Sequence, residues 1–359
     1  MIAPRFHPLT IDRIREETAD ARAVTFAVPA KLREAYAFIP GQYVTIRIDL
    51  DGEDVRRSYS ICSMPDEDGI SVGIRCIAGG SFSEIARNLK AGDVLDVMTP
   101  QGRFLAPIGG IHDYLLLAAG SGITPMMSIA SSVLNAEPES RVTLLYANRT
   151  SDSIMFKDAL DALKDSHIVR FALAHILDEE EQDVVLLNGR LDGQKLRAFA
   201  RAGTIRPADH DGVYICGPAP MMEAASAAMR ELGVDDEKLH YELFTPPGGP
   251  PPVASASAAV SEVAADGVTI DVVLDGTRRQ FRLERQGETV LEAAKRAGLD
   301  LPYSCAGGMC CTCRCKVMEG SGEMIQNYSL EPWELDAGFT LACQTRPTSK
   351  KLVLDFDAT

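Results

Sequence analysis

A multidomain chain is predicted: an antiparallel β-barrel, then an α/β doubly wound layer, then a small α+β module. Three observations predict it. Short β-branched and apolar runs, separated by turn residues, fill residues 6–107. Apolar strand-like runs alternate with helical segments over 113–245. A Pro-, Ala- and Ser-rich stretch at 246–265 then sets apart a last segment with its own hairpin, helix and cysteine loop. The boundaries drawn are 1–107, 108–245, a linker at 246–265, and 266–359.

In the first module, residues 44–50, 70–76 and 94–98 read as strands bounded by Gly-Asp, Asp-Gly and Pro-Gly turns. Several such runs at short spacing predict an antiparallel barrel. Residues 84–89 read as a helix. In the second module, 114–119 is a continuous apolar run, as in a strand buried on both faces. Thr124 and Pro125 then read as a helix cap and first helical residue. Strands at 141–147, 169–174 and 213–216 follow, with helices at 155–163, 194–200 and 221–232 between and after them. That is the doubly wound pattern. After the linker, runs at 269–274 and 279–283 flank Asp275 and Gly276, a hairpin signal. A helix at 289–297 ends at Gly298, and the cysteine loop comes next. The linker is stiff at its Pro-rich start and looser afterwards, which predicts a mobile last module.

Composition narrows the function. The formal net charge is −15 over 359 residues, which argues against nucleic acid or anionic membrane as partners. Residues 151–240 carry 17 acidic and 10 basic residues, a balance of −7, whereas 266–359 carry 14 and 11, a balance of −3. The excess is therefore a solvated surface of the second module. No apolar run is long enough for a transmembrane helix, and no charged-then-apolar leader is read at the start, so the cytoplasm is expected.

Five of the nine cysteines lie between 305 and 315. Cys305, Cys310 and Cys313 follow Cys-x4-Cys-x2-Cys, with Cys343 far downstream, the plant-type [2Fe–2S] spacing. Gly307 and Gly308 let backbone N–H groups approach cluster sulfurs. A zinc site or a redox-active thiol cluster is the alternative. Zinc favours two Cys-x2-Cys pairs or histidines, and no histidine is near the loop. Cys311 and Cys315 are taken as bystanders, because using Cys311 would break the spacing. Cys62 and Cys76 are read as packing residues.

Four further constellations carry chemistry. Arg57, Ser58, Tyr59 and Ser60 lie on one extended stretch, so Arg57 and Tyr59 share a face. A guanidinium there can grip a pyrophosphate in a fork, a phenol ring can lie flat on a flavin, and the Ser60 hydroxyl can reach the reacting flavin nitrogen. The bland reading is an edge strand with an exposed arginine. Arg75 precedes Gly80, Ser81 and Ser83, which open a helix whose free N–H groups suit a diphosphate; an ordinary capped turn is the other reading. Gly120, Gly122, Ile123, Thr124 and Pro125 sit between an apolar strand and its helix, where doubly wound sheets bind nucleotide phosphates. The pattern is Gly-x-Gly-x-x-Pro, so the dehydrogenase fingerprint is not matched. Cys216, Gly217 and Pro218 end the last strand and leave room for a flat ring. A buried cysteine before a turn is the plain alternative.

These motifs in this order resemble the ferredoxin–NADP reductase superfamily, in the branch that carries a plant-type ferredoxin at its C-terminus. The resemblance implies a flavin-binding barrel, a nucleotide-binding domain and a β-grasp ferredoxin domain. It implies FAD contacts at Arg57, Tyr59, Ser60, Gly80 and Ser83, although nothing read from the residues themselves separates FAD from FMN. It implies that Gly120, Gly122, Thr124, Pro125, Cys216, Gly217 and Pro218 surround a nicotinamide nucleotide. Tyr59, Ser60, Cys216 and Glu242 are the catalytic candidates, with Glu242 and Phe244 closing over the flavin. Arg56 to Cys62, Tyr146 to Thr150, Ser153 to Phe156, Leu187 to Arg190 and Arg314 to Val317 are similar to the reductase subunits of phenylacetyl-CoA epoxidases. The acceptor implied is therefore an oxygenase component, the di-iron subunits of such an epoxidase. Reductases of steroid 9α-hydroxylases, of Rieske-type oxygenases and of hybrid-cluster proteins share the domain order, and a redox-sensing iron–sulfur module is the remaining alternative. Relatives that use NADPH carry Ser-Arg where this chain has Asp178 and three glutamates. Carboxylates repel a 2′-phosphate and accept hydrogen bonds from a 2′-hydroxyl. NADH is therefore expected over NADPH, with Arg149 as the residue that could still pair with a 2′-phosphate.

Overall fold

The computed structural model describes residues 5–65, 67, 69–77, 80–244, 267–285 and 287–358, the side chains of Ser81 and Glu84 excepted. The linker assigned to 246–265 lies outside the described residues. The chain divides into two compact units, Phe6–Thr245 and Pro246–Thr359 with Met1–Arg5.

The first unit opens with six strands: β1 (Phe6–Thr18), β2 (Ala21–Ala27), β3 (Tyr43–Leu50), β4 (Glu53–Ser60), β5 (Ile70–Arg75) and β6 (Val94–Met98). They pair antiparallel in the order β4-β3-β6-β1-β2-β5. The end strands meet through a bridge between Ile61 and Val72, with Cys62 N donating to Ser71 O at 2.8 Å, which closes the sheet into a barrel. Leu9 and Ile11, Val24 and Phe26, Val44 and Ile46, and Val72 and Ile74 point inward two residues apart and fill the barrel. Helix α1 (Ser81–Asn88) follows β5 and buries Phe82 and Ala86, one turn apart.

Next comes a parallel layer: β7 (Asp113–Ala119), α2 (Ile123–Ala136), β8 (Arg141–Asn148), α3 (Lys157–Ser166), β9 (Phe171–Leu177), α4 (Gly193–Arg201), β10 (Gly212–Cys216), α5 (Ala219–Glu231) and β11 (Leu239–Glu242). The strand order is β11-β10-β7-β8-β9, and every pair is parallel. β7 serves both faces. Leu116 and Ala118 pack with α2 and α3, while Leu115 and Leu117 pack with α4 and α5. That explains its unbroken apolar run. The strand order reverses between β7 and β10, so a crevice opens beyond their C-terminal ends.

Two local expectations are corrected here. Helix α2 does not start from a Thr124 cap: a 3-10 turn, Gly120–Gly122, runs straight into it, and Gly122 is already helical at φ −62 and ψ −6. Thr124 instead donates its hydroxyl to Ser121 O at 3.0 Å, inside the first turn. The strand expected at 169–174 begins at Phe171, and Val169 is 85% exposed in the preceding turn. Its β-branched side chain fits a strand, but the chain is still turning out of α3 there.

The second unit holds β12 (Val268–Leu274), β13 (Thr277–Leu283), α6 (Val290–Arg296), β14 (Arg314–Glu319), β15 (Gly322–Met324), α7 (Pro332–Asp336), β16 (Phe339–Leu341), β17 (Thr345–Pro347) and β18 (Lys351–Asp355). Five strands form a mixed sheet in the order β13-β12-β18-β14-β16. The β12–β13 hairpin turns at Asp275 and Gly276, both at positive φ (52° and 68°), as a type I′ turn requires. Thr289 caps α6 in a capping box with Glu292, and Val290, Leu291, Ala293 and Ala294 are buried against the sheet. Among the described residues, no helix is long and apolar enough to cross a membrane.

Candidate functional site

The crevice of the first unit is built by contact between the two motifs at the switch point. A Cβ placed on Gly122 would lie 2.1 Å from the carbonyl oxygen of Cys216 and 3.0 Å from Gly217 N. Only glycine lets the loop after β7 approach the end of β10 this closely. The register then puts Glu242 of β11 beside Cys216 of β10. Cys216 is fully buried, and burial pushes its thiol well up, with the Glu242 carboxylate adding to the push. It is therefore a neutral, compact side chain at ordinary pH.

Ser60, at the end of β4, reaches the same place. Its hydroxyl donates to Glu242 Oε2 at 2.8 Å across 182 positions of sequence. Ser60 is buried, so its end of the bond is shielded from water, while Glu242 is half-buried. Tyr59 packs its ring 5.5 Å from that of Phe82, and burial raises its phenol despite the nearby Arg57 charge. Arg57 is exposed and donates to the Arg56 carbonyl at 2.8 Å, with Tyr59 on its face of the strand and Ser58 on the other. Arg56 is the buried one, held by Asp54 at 2.7 Å and lying over the Phe6 ring. The Arg56-to-Ser60 stretch thus presents Arg57 outward and keeps Arg56 for the fold.

Below it, α1 begins at Ser81 with Gly80 as its cap residue and no side-chain cap. A helix N-terminus of this kind offers N–H groups to an anion. Ser83 lies in the first turn of α1. Its hydroxyl accepts from Ile77 N at 2.9 Å and clasps the loop into the helix. The Arg75 fork is taken up by Asp20 at 3.1 Å and 3.3 Å, and its Nη1 lies against Gly120. Burial opposes ionisation of Asp20, but hydrogen bonds from Thr18 and Arg75 outweigh it and hold the carboxyl below its usual range. Arg75 thereby ties the barrel to the start of the Gly120–Gly122 loop. Thr124, Pro125 and Ile123 are buried. Ile123 belongs to the core, so its side chain does not line the crevice and only its backbone is available there.

At the ends of β8 and β9, Asp178 N and Glu179 N donate to the carbonyls of Asn148 and Arg149. This sets Arg149 next to the acidic stretch. Asp178 pairs with Arg190 at 3.3 Å, and Glu180 accepts from Ser151 N and Oγ at 2.7 Å and 2.8 Å. Pro218 is the cap residue of α5, and Phe244, two residues beyond Glu242, is 39% exposed.

The second unit gathers the four cysteines in two pairs. Cys305 and Cys310 act on each other's ionisation, as do Cys313 and Cys343. Hydrogen bonding within each pair lowers Cys310 and Cys343 and, together with burial, raises Cys305 and Cys313. Among the described residues, no three Cys, His, Asp or Glu side chains converge as around one ion. Two pairs are the arrangement two bridged irons need, whereas a zinc site closes four ligands on one centre. Backbone donors surround the sulfurs: Gly307 N and Met309 N reach Cys305 Sγ at 3.4 Å, and Cys305 N reaches Cys310 Sγ at 3.5 Å. To aim them, the loop takes positive φ at Ala306, Gly308 and Cys311 (49°, 77° and 57°). A Cβ on Gly308 would also meet Gln326 O at 3.0 Å. The Cys311 thiol donates to Ser329 O, and Cys315 is buried in the core with its Sγ toward Thr340 O. The donor set and its N–H lining fit a [2Fe–2S] cluster. Spacing alone does not disclose two side chains that touch ligand sulfurs, Thr312 at 3.2 Å from Cys310 and Gln344 at 3.5 Å from Cys343. Adjacency to a ligand is the one signal that could have found them.

A flavin-type barrel, a doubly wound nucleotide sheet and a paired-cysteine unit in one chain define a nucleotide-dependent electron-transfer oxidoreductase. Family models agree along the chain: an oxidoreductase FAD-binding domain over residues 8–105, an oxidoreductase NAD-binding domain over 116–227 and a 2Fe–2S iron–sulfur cluster binding domain over 272–348. The chain is 46% identical to one of the subunits of the 1,2-phenylacetyl-CoA epoxidase of Escherichia coli (strain K12), over 98% of each chain. It is 36% identical to the ferredoxin reductase component of the 3-ketosteroid-9-alpha-monooxygenase of Rhodococcus rhodochrous, over 97% of this chain and 96% of that one. The solved structure of phthalate dioxygenase reductase shares the fold, with a TM-score of 0.59, 22% identity and 98% coverage of both chains. The chain belongs to the family of FAD-, NAD- and [2Fe–2S]-binding reductase components of oxygenases.

Proposed function

We propose that this chain supplies electrons from a nicotinamide nucleotide to a phenylacetyl-CoA epoxidase, in the cytoplasm, with the di-iron subunits as its acceptor. FAD held by this chain would supply the chemistry that converts a two-electron hydride into single electrons for a [2Fe–2S] cluster. The observation that carries the reading is the convergence of Ser60, Cys216 and Glu242 at the switch point, in a chain matched end to end by a component of such an epoxidase. In this reading Arg57 and the α1 N-terminus hold the diphosphate, and the Tyr59 ring supports the flavin. Gly120 and Gly122 admit the nucleotide phosphates, and Cys216 and Gly217 leave room for the nicotinamide. Glu242 is a positioning residue that orients the Ser60 hydroxyl. Cys305, Cys310, Cys313 and Cys343 would hold the cluster.

Reconstitution tests the partner. With purified epoxidase subunits and phenylacetyl-CoA, nucleotide consumption should match epoxide formation. Failure with the epoxidase, together with turnover of a 3-ketosteroid 9α-hydroxylase oxygenase, would assign the chain to the second relative instead. The acidic stretch from Asp178 predicts a higher kcat/KM with NADH than with NADPH; the reverse order would contradict it. Glu242→Ala should cut nucleotide-to-ferricyanide turnover by about ten- to a hundredfold, with little change in KM. Glu242→Gln, which keeps an acceptor for Ser60, should stay within about threefold of the parent. Equal loss in both variants would show that the charge, not the orientation of Ser60, is what matters.

A further inference from the structure

Gln344 follows the last ligand and is only 4% exposed. Its Nε2 donates to Cys343 Sγ at 3.5 Å and to the carbonyl of Ala306 at 2.9 Å. One amide group therefore spans the returning ligand and the first turn of the cysteine loop. Ala306 is one of the loop residues held at positive φ, at 49°. The backbone of Gln344 is fixed on both sides: its N–H donates to Leu341 O at 2.8 Å, and its carbonyl accepts from Ile325 N at 2.9 Å. Its Cγ packs where a Cβ on Gly308 would come within 3.2 Å. The side chain has little room to turn away from the sulfur.

Hydrogen bonds to ligand sulfurs set iron–sulfur potentials, because they stabilise the more negative, reduced state. The Cys305 and Cys310 pair receives backbone donors from the loop itself, plus the Thr312 hydroxyl. Among the described residues, Gln344 is a side chain that reaches the second pair, at Cys343 Sγ. We infer that Gln344 raises the reduction potential of the cluster by donating to the Cys343 thiolate while it clamps Ala306. The inference rests on the four-cysteine ligand set above.

The test uses the full chain with its cofactors, compared with Gln344→Met and Gln344→Glu. Methionine keeps the length and loses the donor. A glutamate can donate only while protonated. Cluster content is measured as iron and acid-labile sulfide, the potential by spectroelectrochemistry and the reduced cluster by electron paramagnetic resonance. Gln344→Met should retain the cluster and lower its equilibrium constant for reduction by about threefold to tenfold at every pH, tenfold being about 59 mV for a one-electron couple. Gln344→Glu should approach the parent potential at low pH and fall below it as pH rises and the donor proton is lost. The rate of flavin reduction by nucleotide should not change. Potentials equal to the parent in both variants, with clusters intact, would overturn the inference. Loss of the cluster from both variants would also overturn it, by assigning Gln344 to loop support alone. A parent chain without iron and sulfide would overturn the ligand set itself, which separates the two failures.

Discussion

Cys343→Ala is expected to abolish electron delivery beyond the flavin while leaving nucleotide oxidation running. Cys343 is buried among the core residues of the second unit, together with Cys313. Removing it leaves Cys313 as the remaining protein ligand of its pair. Cys315 is buried and its Sγ points at Thr340 O, at 3.9 Å, while Cys311 is turned to Ser329 O. Iron and sulfide content should collapse. Reduction of a cytochrome-type acceptor should fall by about a hundredfold or more, since each tenfold is only about 1.4 kcal/mol of lost coupling. Turnover with ferricyanide, which takes electrons directly from the flavin, should stay within about twofold. Cys311→Ala serves as the matched control and should keep its cluster.

Gly122→Ala should be a severely damaging single-methyl change at the crevice of the first unit. The backbone there is ordinary helix, φ −62 and ψ −6, so alanine carries no conformational penalty of its own. The damage comes from contact: the new methyl would sit 2.1 Å from the Cys216 carbonyl oxygen and 2.5 Å from its carbon. Both partners are backbone, so no flexible side chain can give way. The Gly120–Gly122 loop and the end of β10 must separate. That parts the nucleotide loop from Cys216 and Gly217, and moves Glu242 on the next strand. Overpacking of this kind costs about 1–3 kcal/mol in stability, and a misplacement near 1 Å costs about a hundredfold in rate. The expected result is a lower Tm and a kcat/KM for nucleotide down by about a hundredfold, with the cluster still present. An unchanged kcat/KM would show that the switch point is not where the nucleotide is handled.

Much of the fold is legible from periodicity and spacing. β7 announces itself because it is buried on both faces. The Asp275 and Gly276 hairpin does so because both residues must adopt positive φ. The cysteine spacing points to the cluster because three ligands come from one loop. Other parts are hidden for physical reasons. β1 does not read as a strand because Pro8 interrupts it and a register shift between Ile11 and Arg13 breaks its alternation. Pro8 is tolerated because β1 pairs only with β6 there; its pairing with β2 begins at Thr10. β11 is four residues long, too short to show a period. α7 is five residues long and starts from a Glu331 and Glu334 capping box around a proline. The bond between Ser60 and Glu242 joins residues that no local pattern connects, and Gln344 gives no signal apart from its place beside a ligand.

Electrons are expected to enter at the nucleotide crevice and to leave through the paired cysteines. Anaerobic stopped-flow reduction of the full chain by NADH, followed at flavin and cluster wavelengths, tests this order most directly. Flavin bleaching should come first, then cluster reduction, with the second phase absent from Cys343→Ala and the first phase unchanged. A cluster that stays oxidised while the flavin is fully reduced, or a second phase that survives Cys343→Ala, would contradict it.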